Sequence, residues 1–333
     1  MELLKQIVCA FIFALFCLQA GFCPADVRDD HVVSINITGD VLLDRGVKKF
    51  VDIAGVSGAM SEVATLFSSA DYTLINLECP VTEIGAPRKK SFVFRADPAL
   101  LTGLNSVGIT HASVANNHTL DQGEAGFVDT IKNLAKAGIT VVGAVKGRAE
   151  AVEPEIIEKN GVKIAVFAVN MVEIKSSYNV VKEARPCEAS SAAMLSAVKS
   201  FHREHPEIHE IVFMHWGEEY SLFPKDEQVF LARSLIDTGV DAVIGCHPHV
   251  IQGVEVYHGR PIVYSLGNLL FDQSLPGTQH GLVVTLFFGK DSLEKATLHP
   301  IKQIGCAPHQ DGERRLDLKK DKTMLPSEII SNE

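Results

Sequence analysis

Short apolar blocks, each closed by a polar residue able to carry chemistry, recur along this chain. Residues 31–39 alternate as a half-buried strand does and stop at Gly39-Asp40. Residues 71–78 read as a buried strand ending in Asn76 and Glu78, and residues 109–114 as another that runs into Asn116, Asn117 and His118. A further block at residues 210–214 is followed by His215, Trp216 and Glu218. The run from Asp241 to Gly245 delivers His247 and His249, and residues 262–264 lead into Asn268. Between these blocks, residues 46–56, 59–69, 122–137, 190–204 and 226–238 carry helical apolar spacing, with Gly138 and Gly239 placed as stops. Strand patterns at 141–142 and 163–169, the Glu153-Pro154 turn and the Asn160-Gly161 dipeptide predict a hairpin, and with it a mixed sheet. Residues 178–188 have the least pattern and are expected as a surface loop, 282–288 and 296–301 as late strands, and 307–333 as a charged tail. No repeat or linker interrupts the sequence, so residues 31–306 are expected to form one domain.

Strands alternating with helices predict an α/β fold whose parallel strands bring their carboxyl ends to one edge. Any one polar residue at a strand tip is more often a loop hydrogen-bonder than a ligand. Recurrence at every tip is what points to a shared site. Asp, Glu, Asn and His are hard-to-borderline donors suited to a divalent ion such as Mn, Fe or Zn, and the lack of a C-x-x-C pair argues against a structural zinc.

The composition, 46% hydrophobic and 22% charged over 333 residues, is that of a globular chain with a large core. A net charge of −10 leaves no basic face for nucleic acid and gives a polyanion no overall attraction. An acidic substrate would have to be held by a metal or by local cations such as Arg88, Lys89, Lys90 and Arg95. Residues 1–25 combine Lys5, an apolar run from Ile7 to Leu18 and small residues at Ala20 and Ala25, the pattern of a signal peptide. The run is short for a membrane span, so an exported protein is expected, periplasmic, extracellular or held at the cell surface; an uncleaved anchoring helix is the alternative. Cys79, Cys187, Cys246 and Cys306 fall in the folded part and can form two disulfides or remain free thiols.

An ordered set of motifs goes further: Gly39-Asp40, Asn76-Leu-Glu-Cys-Pro-Val-Thr82, Ser113-Val-Ala-Asn-Asn-His-Thr-Leu-Asp121, His215-Trp-Gly-Glu-Glu-Tyr220, Gly245-Cys-His-Pro-His-Val250 and Tyr264-Ser-Leu-Gly-Asn268. In these the chain resembles the CapA family of poly-γ-glutamate capsule-biosynthesis proteins, whose domain is similar to the calcineurin-like metallophosphoesterases. The resemblance implies an α/β sandwich of mixed sheets flanked by helices, with a metal centre at the strand carboxyl ends. Carried over by position, it implies Asp40, Glu78, Asn117, His215, His247 and His249 as metal ligands for one or two ions, and His118 with Asp121 as the proton-transfer pair. Asn76, Asn116, Trp216, Glu218 and Asn268 are the expected substrate-binding residues. Leu42 stands where the related enzymes have the histidine of Asp-x-His, which leaves one metal position short of a ligand. The implied activity is hydrolysis or acyl transfer on polyglutamate or another envelope component, with capsule-synthesis membrane proteins as partners. A metallophosphodiesterase is one alternative, and a non-catalytic polymer-binding assembly protein, favoured by Leu42, is the other.

Overall fold

Along β1 (Val33–Val41), Val33, Ile35 and Ile37 enter one apolar layer, while Asn36 on the opposite face reaches the carbonyl of Leu66 at 3.0 Å. Successive side chains of a strand alternate in direction, so β1 is buried along its whole length because both of its faces are covered. The computed structural model describes residues 31–146, 151–174 and 184–330. The signal peptide expected at 1–25, and most of the loop expected at 178–188, lie outside the described residues.

After β1 come helices α1 (Arg45–Ala59) and α2 (Ser61–Ser69), β2 (Tyr72–Leu77), the short helix α3 (Leu101–Ser106), β3 (His111–Ser113), α4 (Gly123–Lys136), β4 (Thr140–Val142) and β5 (Ala144–Val145). The middle of the chain forms β6 (Glu155–Lys159), β7 (Val162–Asn170), β8 (Arg185–Pro186), α5 (Ser191–Glu204), β9 (His209–His215), α6 (Asp226–Thr238) and β10 (Ala242–Cys246). It closes with β11 (Val254–Tyr257), β12 (Arg260–Val263), β13 (Asn268–Leu270), β14 (His280–Phe288), β15 (Leu293–Ile304), β16 (Ala307–Gln310), β17 (Arg314–Arg315), β18 (Lys322–Met324) and α7 (Pro326–Ile330).

These strands make two large sheets. The first runs β16-β15-β14-β1-β2-β3-β4, with β13 beside β1 and β17 beside β15; the second runs β18-β11-β12-β10-β9-β7-β6. In the first, β1 to β4 are parallel and β14 turns antiparallel to β1; in the second, β7, β9, β10 and β12 are parallel. The β6–β7 hairpin turns at Asn160 and Gly161, both at positive φ, as the dipeptide predicted.

One apolar cluster joins the inner face of the first sheet to the second sheet and continues to Met194 and Val198 of α5 and Leu231 and Leu235 of α6. The other packs Val47, Phe67, Leu104 and Phe127, from α1 to α4, on the outer face of the first sheet. The result is the expected sandwich, helices outside and two mixed sheets within, each fully buried Leu, Ile or Phe contributing about 1.5–3 kcal/mol. Residues 307–333 depart from the expected tail: β16 and β17 pair with β15, β18 pairs with β11, and Ile329 of α7 is buried, so the chain remains part of the fold through residue 330. Cys79, Cys187, Cys246 and Cys306 are all free thiols.

Candidate metal centre

The tips of both sheets meet at one edge, where Gly39 lets β1 approach the segment leaving β12 and Gly245 lets β10 approach that same segment within its own sheet. A side chain at Gly39 would lie 1.9 Å from the Gly267 carbonyl oxygen, and one at Gly245 would lie 2.1 Å from that of Tyr264. The residues that follow them, Asp40 of the first sheet and the stretch from Cys246 to His249 of the second, are thereby brought together: the His247 amide donates to Asp40 Oδ2 at 3.3 Å.

Asp40 is fully buried. Its Oδ1 accepts from Asn76 Nδ2 at 2.7 Å, and its Oδ2 lies 3.3 Å from His249 Nδ1. Glu78, the first residue beyond β2, is equally buried, yet neither of its oxygens has a hydrogen-bond partner among the described residues. Burial, reinforced by the Asp40 carboxylate, pushes Glu78 well above the usual carboxylate range. The nearest cationic group is His249 Nε2, 3.7 Å from Glu78 Oε1.

His215 ends β9, its Nε2 3.0 Å from Asn117 Oδ1 and its Nδ1 3.3 Å from Asn76 Nδ2. His247 packs its ring 4.7 Å from that of His215, and its Nδ1 is a buried atom without a partner among the described residues. Burial, together with the neighbouring imidazoles, pulls His215 well below the ordinary histidine value, and burial with His249 pulls His247 down to about 3, so both present lone pairs at neutral pH. Burial opposes charge on His249 too, but Glu78 and Asp40 outweigh it and lift His249 to about 9. Asn268 Oδ1 fixes His249 Nδ1 at 2.9 Å. His247 and His249 both adopt positive φ, 97° and 58°, a conformation costing non-glycine residues about 1–3 kcal/mol each and kept where the surroundings enforce it.

Donor atoms of Glu78, His215 and His247 lie within 4.8 Å of one another, as do those of Asp40, Glu78 and His249, and those of Asp40, His215 and Cys246. Two buried carboxylates lie between the protonated His249 and the neutral His215 and His247, and both Glu78 oxygens and His247 Nδ1 lack hydrogen-bond partners among the described residues. Oxygen and imidazole donors in this number fit a divalent cation.

Beside this cluster, His118 Nδ1 lies 2.8 Å from Asp121 Oδ2, and the Phe94 ring stacks on the imidazole at 4.2 Å. Burial pulls His118 below its ordinary value. Asn116 braces the turn, donating to Asn76 Oδ1 at 3.1 Å and to the Leu77 carbonyl at 2.9 Å while accepting from the His118 amide. Asn76, Asn116 and Asn268 therefore hold ligand-bearing segments, and their amides are engaged in doing so.

Two expected substrate-binding residues lie away from the cluster. Trp216 is buried against Tyr264 and donates Nε1–H to the Tyr264 carbonyl at 2.9 Å, filling the space left by Gly245. Glu218 is exposed and pairs with Lys225 at 3.0 Å. Leu42 lies wholly in the apolar core. Sequence reasoning passed over Cys246, whose Sγ is 3.4 Å from His215 Nδ1, although it sits inside the His247 motif. Its thiol is pushed well up by burial and by Asp40 and Glu78, so it faces the cluster protonated.

Residues 34–273 match the family model for the bacterial capsule synthesis protein PGA_cap. The chain is 31% identical to the PGA biosynthesis protein CapA of Bacillus subtilis over 299 residues, 89% of this chain and 77% of that one. It is 28% identical to the capsule biosynthesis protein CapA of Bacillus anthracis over 268 residues, 78% of this chain and 65% of that one. Among solved structures, NAD nucleotidase of Haemophilus influenzae overlaps 86% of this chain and 54% of its own at a TM-score of 0.47 and 14% identity, a likeness on which nothing further rests.

Proposed function

The chain belongs to the PGA_cap family of bacterial capsule synthesis proteins, and from that membership we propose that it is an exported, metal-dependent hydrolase or transferase acting on poly-γ-glutamate or a related anionic envelope polymer. The observation that carries this reading is Glu78, a buried carboxylate with no hydrogen-bond partner on either oxygen among the described residues, grouped with two neutral histidines. Glu78, Asn117, His215 and His247 would hold one ion, and Asp40 with His249 would complete a second position around the same Glu78. Such an ion, when bound, lowers the pKa of a water and polarises the oxygen under attack. Asn268 orients His249, Asn116 sets the turn that presents Asn117 and His118, and Asp121 accepts a hydrogen bond from His118 Nδ1–H so that proton exchange occurs at Nε2. The apolar amino-terminal run supports a site of action outside the cytoplasm.

A second reading, a polymer-binding assembly protein without catalysis, is favoured by Leu42 in the core and by His249 already lying between the two carboxylates. Metal content of the purified protein, measured beside cleavage of poly-γ-glutamate and of bis(p-nitrophenyl) phosphate, separates the readings. The enzyme reading expects bound metal and turnover, with His118→Ala lowering turnover about 100- to 10,000-fold and retaining the metal. Metal-free protein inactive on both substrates supports the binding reading, and faster cleavage of the phosphodiester redirects the substrate class.

A further inference from the structure

We infer that Lys90 is a positioning residue for His118, not a cation reserved for the substrate. This rests on the proposed role of His118 in proton transfer. Of the cations on the loop between Pro80 and Ala96, Lys90 is turned inward, its side chain 16% exposed. Its ammonium lies 2.5 Å from Asp121 Oδ1, 3.0 Å from the Asn117 carbonyl oxygen and 3.3 Å from His118 Nδ1. Asp121 Oδ2, the other oxygen of the same carboxylate, faces His118 Nδ1 at 2.8 Å and accepts from the Phe94 amide at 2.7 Å.

These contacts select a tautomer. A carboxylate oxygen only accepts, so Nδ1 carries the proton and donates it to Asp121. Lys90 then serves as a counter-charge behind the carboxylate and a hydrogen-bond donor to the Asn117 carbonyl. His118 Nε2 is left without a hydrogen-bond partner among the described residues, and the stacked Phe94 ring opposes rotation of the imidazole.

The loop that brings Lys90 here is tied at both ends and in the middle. Thr82 N donates to the Ala96 carbonyl at 3.0 Å and Ala96 N to that of Pro80 at 2.9 Å. Arg88 N reaches the Asp121 carbonyl at 2.8 Å, and Gln122 bonds both Ala86 N and the Phe94 carbonyl at 3.0 Å. The loop and the segment carrying His118 and Asp121 are thus cross-tied. Lys90 and Phe94 reach the ring from sequence positions well before it, while Lys89 and Arg95 on the same loop remain exposed.

The test has one arm that needs no substrate. In protein labelled with nitrogen-15 histidine, the unmutated chain should show His118 protonated at Nδ1, and Lys90→Met should keep that tautomer while moving the Nδ1 and Nδ1–H chemical shifts, because the accepting carboxylate has lost its counter-charge. On whichever of poly-γ-glutamate and bis(p-nitrophenyl) phosphate is turned over, Lys90→Met should lower kcat about 10- to 100-fold with KM and metal content unchanged, and should lower the melting temperature because buried Asp121 loses its counter-charge, and Lys90→Arg should restore most of both losses. Lys90→Gln serves if the methionine variant does not fold. A raised KM with kcat intact makes Lys90 a substrate contact and overturns the inference, as do Nδ1 and Nδ1–H shifts that Lys90→Met leaves unmoved. If the unmutated protein turns over neither substrate, the proposed function falls, while the histidine Nδ1 shifts still decide the role of Lys90.

Discussion

Strand β2 carries a carboxylate just outside each end, and the protein treats the two in opposite ways. Asp71 precedes it. Its Oδ2 accepts from the Ser34 amide at 2.8 Å and the Ser34 hydroxyl at 2.9 Å, and its Oδ1 meets Lys159 Nζ at 2.6 Å. Burial works against the charge, but the bonds from Lys159 and Ser34 outweigh it and hold Asp71 below the usual carboxylate range. Glu78 follows the strand, has neither a hydrogen-bond donor nor a lysine among the described residues, and is pushed the other way. Strand β9 repeats the contrast: His209 at its start pairs with Asp241 and the Gly289 carbonyl, whereas His215 at its end stands among other imidazoles. Asp71 and His209 at the amino edges are paired by partners the chain supplies, whereas at the carboxyl edges both Glu78 oxygens and His247 Nδ1 have no hydrogen-bond partner among the described residues, as the proposed metal centre requires. Open α/β sheets place their ligands at that edge.

The contrast breaks most visibly through metal-linked stability. Glu78→Ala and His247→Ala should each abolish the stabilisation gained on adding Mn²⁺ or Zn²⁺, about 4.1 kcal/mol at a thousandfold excess over the dissociation constant, as read by thermal unfolding. The double variant should lose little more than either single one, because both residues are proposed to hold the same ion. Additive losses would assign them to separate sites.

A somewhat smaller effect concerns the amino edge. His111 begins β3, buried with its Nδ1 2.8 Å from Thr110 Oγ1 and its ring edge-on to Tyr72. Burial pulls it from the ordinary 6.5 to about 4. Between those values the unfolded chain binds a proton that the folded one refuses, so stability is intact above pH 6.5 and falls as the pH drops toward 4, by roughly 3 kcal/mol in full. His111→Gln should flatten that part of the acid limb in denaturant titrations across this range. An unchanged pH slope would show that the edge is closed by something other than neutral burial.

Much of this organisation was legible because the apolar runs stop where the chemistry starts. The boundaries of α6 (Asp226–Thr238) and the strand preceding Glu78 follow directly from periodicity, and so does the gathering of Asp40, Glu78, His215 and the two histidines of the second sheet. Side-chain direction beyond a strand's last ladder bond is not set by that period. Trp216 and Glu218 therefore read as neighbours of the site, although one turns into the core and the other to solvent. The strands after residue 306 escaped notice because β17 and β18 are short, charged edge strands with little apolar alternation. Lys90 and Phe94 were illegible as partners of His118, since only the tertiary fold of their loop brings them to it.

The most direct measurement compares Glu78→Gln with Asp71→Asn, in chelator and with added metal, by thermal and denaturant unfolding. Asp71→Asn is expected to lose about 1–3 kcal/mol in both conditions, because it strips partners from a satisfied carboxylate. In chelator Glu78→Gln is expected to be at least as stable as the unmutated protein, since a buried unpaired carboxylate has been removed, and to gain nothing from metal that stabilises the parent. A parent indifferent to chelator, with Glu78→Gln as damaging as Asp71→Asn, would show that the carboxyl edge is as self-contained as the amino edge and is not a metal centre.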